Sequence, residues 1–171
     1  MNWKILTLIW IAVLLALGDE AYANSSSGTA TATIAAPTSV TVMSDLAFGT
    51  IVPAALPGTV IITPANVRSK TGTLTLVSSL SHPALFNLTG TAGRTYSITL
   101  PGNNTVRIFT PATPAQAFMT VQSFSSDATG SPRTFDANGN ASFNVGGVLE
   151  VRANQAAGIY RGTFAVNVIF N

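Results

Sequence analysis

From residue 28 onward the apolar residues of this chain alternate with Thr, Ser or Asn, and that two-residue period leaves few folds open. Successive side chains of a strand point to opposite faces, so such a pattern gives a strand one buried and one solvated face. Tyr96, Ile98 and Leu100 alternate with Thr95, Ser97 and Thr99. Phe143, Val145, Leu149 and Val151 do the same against Ser142, Asn144 and Glu150, with Gly146-Gly147 placed for a bulge or bend. Shorter versions occur at Val40/Val42, Val60/Ile62, Leu74/Leu76, Phe86/Leu88 and Val106/Ile108, and no stretch carries a convincing amphipathic-helix pattern. Between these pieces stand Pro53, Pro57-Gly58, Pro64, Pro83, Pro101-Gly102, Pro111, Pro114 and Asn138-Gly139. The last of these is the clearest turn, because both residues tolerate positive φ. Many short strands at close spacing predict an all-β fold, with an immunoglobulin-like two-sheet antiparallel sandwich preferred to a barrel of longer, more even strands.

The front of the chain reads differently. Lys4 is followed by an apolar stretch from Ile5 to Gly18 and then by Ala21-Tyr22-Ala23, a small-x-small cleavage site. This predicts a signal peptide over residues 1–23, since the stretch falls short of the roughly 20 residues a membrane-spanning helix needs. Residues 24–28, "NSSSG", then form a flexible leader and residues 29–171 a single β domain. The chain is expected to be exported, with no membrane attachment after cleavage. Export would permit disulfides, yet the chain has no Cys, so packing and backbone pairing must hold it together.

Charge is scarce, with 8 Lys and Arg against 6 Asp and Glu. After cleavage Lys70, Arg68, Arg94, Arg107, Arg133, Arg152 and Arg161 would face Asp45, Asp127, Asp136 and Glu150. The arginines stand singly in sequence, which argues against the clustered footprint of a nucleic-acid binder. His82 is the only histidine, ahead of Pro83 in a predicted loop, and the acidic residues lie too far apart in sequence to announce a metal site. Asp136 sits in "DANGN", where a turn accounts for it. A Ser-His-Asp triad need not be contiguous, so alternation leaves that question open. No nucleophile elbow or phosphate loop is present. The expectation is a non-enzyme, with no catalytic, metal or cofactor-binding residue to assign. Phe109, Phe118, Phe124 and Phe135 occupy what reads as the least regular part of the chain, as core residues or as a sugar platform, while Trp3 and Trp10 both fall in the predicted leader.

The last segment, "GIYRGTFAVNVIFN" from Gly158 to Asn171, is the most strand-like. Tyr160, Gly162, Phe164, Val166, Val168 and Phe170 share one face, and Arg161, Thr163, Ala165, Asn167 and Ile169 the other. Burying the large side chains of the first face does not clearly outweigh the entropy of ordering Ile159 to Phe170, so ladder hydrogen bonds are needed as well. A bare edge would also invite foreign strands. The partner is another strand of this chain, a chaperone, or the next copy of the protein. Ala30, Ala32 and Ile34, alternating with Thr29, Thr31 and Thr33, fit either a strand donated to a neighbour or the first strand of the domain itself.

Gly158 stands fourteenth from the end and the penultimate residue, Phe170, is aromatic, with apolar residues alternating between them. This resembles the C-terminal signature of chaperone–usher pilus subunits, although Phe170 replaces the usual tyrosine and the cysteine pair of many pilins is absent. The resemblance implies an incomplete immunoglobulin-like sandwich, filled first by a periplasmic chaperone and then by the N-terminal extension of the next subunit. A second similarity covers essentially the whole chain after the leader. The stretches "ATATI" (30–34), "DLAFGTIV" (45–52), "GTVIITP" (58–64), "GRTYSITLP" (93–101) and "GNASFNVGGVLEVRANQAAGIYRGTFAVNVIFN" (139–171) resemble the bacterial secreted family called domain of unknown function 4402. Together the resemblances imply a structural subunit of a bacterial surface fibre, secreted through the inner membrane to the periplasm, the cell surface or the outside, with Gly158, Tyr160, Gly162, Phe164, Val166, Val168 and Phe170 lining the groove and Ala30, Ala32 and Ile34 on the donor strand. The alternative is a self-contained secreted module that binds a glycan or another surface ligand.

Overall fold

The computed structural model describes residue 32 and residues 38–77, 80–110, 117–130 and 132–171. The predicted signal peptide and leader, and Ala30 and Ile34 of the predicted donor segment, lie outside the described residues; Ala32 is exposed and belongs to no strand. The fold is therefore that of the compact unit Ala35–Asn171. Among the described residues every regular element is a strand: β1 (Ser39–Ser44), β2 (Ile51–Val52), β3 (Gly58–Ile62), β4 (Arg68–Lys70), β5 (Thr75–Leu76), β6 (Ala84–Thr89), β7 (Thr95–Thr99), β8 (Val106–Phe109), β9 (Phe118–Ser126), β10 (Arg133–Thr134), β11 (Asn140–Val151) and β12 (Asn167–Phe170). None of these residues forms a helix long and apolar enough to cross a membrane.

The all-β expectation is borne out. The strands form a seven-stranded curled antiparallel sheet, in the order β1-β6-β11-β3-β4 with β9 joined to β11 and β8 to β9, a three-stranded sheet β10-β7-β12, and the pair β2-β5. β11 organises the largest sheet. It pairs with β6 through Asn140–Val145, with β9 through Val145–Glu150 and with β3 through Gly147–Val151. The hand-over from β6 to β3 falls at Gly146-Gly147, and the register against β9 slips between Gly146 and Val148, so the sequence reading of a bulge there is correct. The backbone of β3 explains the choice of residue: a Cβ on Gly146 would lie 2.1 Å from the Ile62 carbonyl oxygen.

Alternation places the core. Phe143, Val145, Leu149 and Val151 of β11 are at most 3 % exposed. Val60, Ile62, Leu74, Met119, Val121 and Leu149 belong to one buried cluster, and Phe86, Leu88, Tyr96, Phe135, Phe143 and Val145 to a second, which joins side chains of the seven- and three-stranded sheets. Phe86 and Phe143, paired across β6 and β11, stack with centroids 5.1 Å apart and planes at 11°. Burial pushes the Tyr96 phenol above its ordinary pKa, with Arg133 opposing and Asp127 reinforcing the shift, so the ring enters this core uncharged.

The turn at Asn138-Gly139 also forms, with Gly139 alone taking positive φ. The Asp136 carboxylate accepts the backbone N–H groups of Asn138 and Asn140. It does not close a hairpin, because β10 before it pairs with β7 and β11 after it pairs with β6. The chain crosses between sheets there. One sequence expectation is corrected: the phenylalanine-rich region is not irregular, since Phe118–Ser126 is a nine-residue strand. Met119 and Val121 point inward and Phe118, Thr120 and Gln122 away from the core, an alternation that an outward-facing phenylalanine disguises.

Candidate functional site

The terminal segment divides by face as its sequence predicts. Tyr160, Phe164, Val166, Val168 and Phe170 pack against the buried clusters, while Arg161, Thr163, Ala165, Asn167 and Ile169 are exposed. Phe164 lies between the clusters, 5.1 Å from the Phe124 ring and edge-to-face with Phe86 at 6.3 Å. Phe170 stacks on Phe135 at 5.9 Å with planes 5° apart. Gly158 and Gly162 are exposed, and each marks a close approach. A Cβ on Gly158 would meet Thr110 Oγ1 at 2.5 Å, and one on Gly162 would meet the Arg107 carbonyl oxygen at 2.5 Å.

The segment is less regular than its pattern implies. A continuous ladder covers only Asn167–Phe170, antiparallel to β7, with one isolated bridge from Arg161 to Phe109 at the end of β8. The reason is the partner: residues 100–105 separate β7 from β8, so no single strand accompanies the segment along its length. Arg161 exchanges both backbone hydrogen bonds with Phe109, at 2.8 and 2.9 Å, and the Asn171 N–H donates to the Thr95 carbonyl at 2.8 Å. Within β12, hydrogen-bonded pairs recur at every second residue, so Asn167, Ile169 and Asn171 turn their backbone groups toward β7. Those of Val168 and Phe170 then face the opposite side, where no strand of the described residues pairs with β12.

A second open edge borders the same core. Among the described residues β1 ends the seven-stranded sheet, paired with β6 on one side only. Val40 stands opposite Leu88 and Val42 opposite Phe86, and residues opposite one another share a face. Leu88 and Phe86 are 1 % and 7 % exposed, yet Val40 and Val42 are 44 % and 54 % exposed. The inward face of β1 is therefore apolar and uncovered. Phe86, its neighbour, touches Phe164 of the terminal segment. The importance of β1 was not legible in sequence, where Val40/Val42 is only a short alternation.

Tyr160 fixes the start of the segment. Its hydroxyl donates to the Ala156 carbonyl at 2.7 Å and accepts from Gln155 Nε2 at 2.8 Å. Tyr160→Phe removes both bonds and is expected to cost about 1–3 kcal/mol of stability, read from the urea unfolding midpoint.

The polar residues weighed for chemistry have structural partners. The Asp127 carboxylate holds the backbone N–H and the side-chain amide of Asn144, at 2.9 and 3.1 Å. His82 bridges to Ala47 through the backbone, and its Nδ1 lies 3.2 Å from the Pro83 carbonyl. Among the described residues no three His, Cys, Asp or Glu side chains converge as a metal site would require.

Antiparallel sheets around a shared core, with β1 and β12 each paired on one side among the described residues, define an all-β domain. Residues 38–170 match the family model described as Domain of unknown function (DUF4402), and the chain belongs to that family. No curated protein and no solved structure matches it.

Proposed function

We propose that the chain is a structural subunit of a bacterial surface fibre, an exported immunoglobulin-like two-sheet sandwich completed by a strand from outside. The observation that carries this reading is that, among the described residues, β1 and β12 each lack a partner on one side, border one core and leave inward apolar side chains part-exposed. An extended segment entering there would gain hydrogen bonds from the β12 backbone and cover Val40, Val42, Phe164 and Val166. In the fibre the segment comes from the next subunit, through Ala30, Ala32 and Ile34, after a periplasmic chaperone has held the place. No cofactor takes part. Small donor side chains suit a core already partly closed by the contact of Phe164 with Phe86.

A synthetic peptide carrying residues 29–34 tests the reading. It is expected to raise the unfolding temperature of the purified protein and to slow amide exchange at Val168 and Phe170. At a hundredfold excess over Kd, strand addition contributes about 2.7 kcal/mol. A protein that stays monomeric on concentration, and whose exchange the peptide leaves unchanged, would refute strand donation and leave the self-contained binding module in its place.

A further inference from the structure

Three features that sequence scatters meet on the outer face of β8, β9 and the end of β11. The Arg107 guanidinium lies 4.6 Å from the centroid of the Phe118 ring and that of Arg152 lies 4.1 Å from it. Two like charges are thus held to one aromatic ring, and among the described residues neither forms an ion pair or a side-chain hydrogen bond. Glu150, two residues before Arg152, is engaged by Gln122, whose Nε2 donates to its Oε1 at 2.5 Å. Arg161, exposed and opposite Phe109 in a bridge, adds a third positive charge to this face. The arginines that stand singly in sequence are gathered by the register of the strands.

A guanidinium stacked on a ring keeps its N–H groups in its own plane, free to grip a carboxylate in a fork. Beside Phe118, Arg152 and Gln155 line a cleft of about 240 Å³ together with Asn154 and neighbouring alanines. Gln155 is held rigidly in that wall. Because the Tyr160 hydroxyl proton goes to Ala156, Tyr160 must accept from Gln155 Nε2, and this orients the amide. The other amide atom, Oε1, is buried without a donor. No solvent-sized group reaches that atom, so the accessible amide of the cleft is that of Asn154, which is exposed on its wall. Phe109, 42 % exposed and 6.2 Å from Phe118, adds an apolar surface of the kind that packs on the C–H face of a sugar ring.

We infer that this cleft binds a carboxylated saccharide, with Arg152 on its wall holding the carboxylate, Arg107 on the same phenylalanine ring adding to the positive field, and the Asn154 amide meeting a ring hydroxyl. The site uses neither the β1 nor the β12 edge, so it stands independently of the fibre reading.

The test is calorimetric titration of the purified protein with trigalacturonic acid and with sialyllactose, set against the methyl esters of both and against inorganic phosphate. At least one acid is expected to bind, with affinity falling roughly ten- to a hundredfold on esterification and by a similar factor in Arg107→Gln and Arg152→Gln. Arg152→Lys, which keeps the charge and loses the fork, is expected to fall as well. Both arginines are exposed, so the fold should survive, and circular dichroism checks that it does. Absence of binding by either acid overturns the inference. So does equal binding of acid and ester, unchanged affinity in both glutamine variants, or phosphate binding as tightly as the acids, which would mark a general anion site.

Discussion

Phe143→Ala is expected to remove about 3–5 kcal/mol of folding stability, a large share of the roughly 5–15 kcal/mol a domain normally has. Phe143 is 1 % exposed, and its stacking partner Phe86 also meets Phe164 of the terminal segment. Truncation therefore opens a cavity where both sheets and the terminal segment join, and rigid strands cannot collapse into it. Urea unfolding should show a much lower midpoint with little change in slope. Ile169→Ala, on the exposed face of β12 at 59 % exposure, is the control and should stay within about 0.5 kcal/mol of the parent.

Gly146→Ala is expected to be comparably harmful for a different reason. The new methyl group would meet backbone, not a movable side chain: the Ile62 carbonyl oxygen at 2.1 Å and the Thr63 carbonyl carbon at 2.9 Å. β3 must then move off β11, at a cost of about 3 kcal/mol or more, and the expected result is a collapse in the yield of soluble folded protein. Its neighbour makes the comparison sharp. A Cβ on Gly147 would touch only side chains of Phe124, Val121 and Leu46, at 3.4–3.5 Å, which is ordinary contact. Gly147→Ala should fall within about 1 kcal/mol of the parent, and equal damage at both positions would refute this account of the hand-over.

How far the fold could be read in advance depended on whether a signal was local. Alternation at 95–100 and 142–151, the paired glycines and the faces of the terminal segment are properties of consecutive residues, and the structure reproduces them. Pairing is not such a property. Nothing near Asn138-Gly139 announces that the chain leaves one sheet for another, and nothing in "SVTVMS" says that β1 will stand at an edge with its inward valines uncovered. The four phenylalanines make the same point: Phe135 is core, Phe124 packs on Phe164, and Phe109 and Phe118 come together at the surface only because β8 pairs with β9. The arginines on that surface were invisible as a group because their proximity is a matter of register between strands far apart in sequence.

The position of β11 in the chain sets an order of events. It is the hub to which β3, β6 and β9 attach, yet it begins only at Asn140. A nascent polypeptide halted before that point would carry three sticky ribbons and no template to receive them. Maturation of the large sheet must therefore wait until Asn140–Val151 has been made, and long-range pairing of this kind is slow. Aggregation is the main hazard during that delay, and it is greatest before the hub strand arrives.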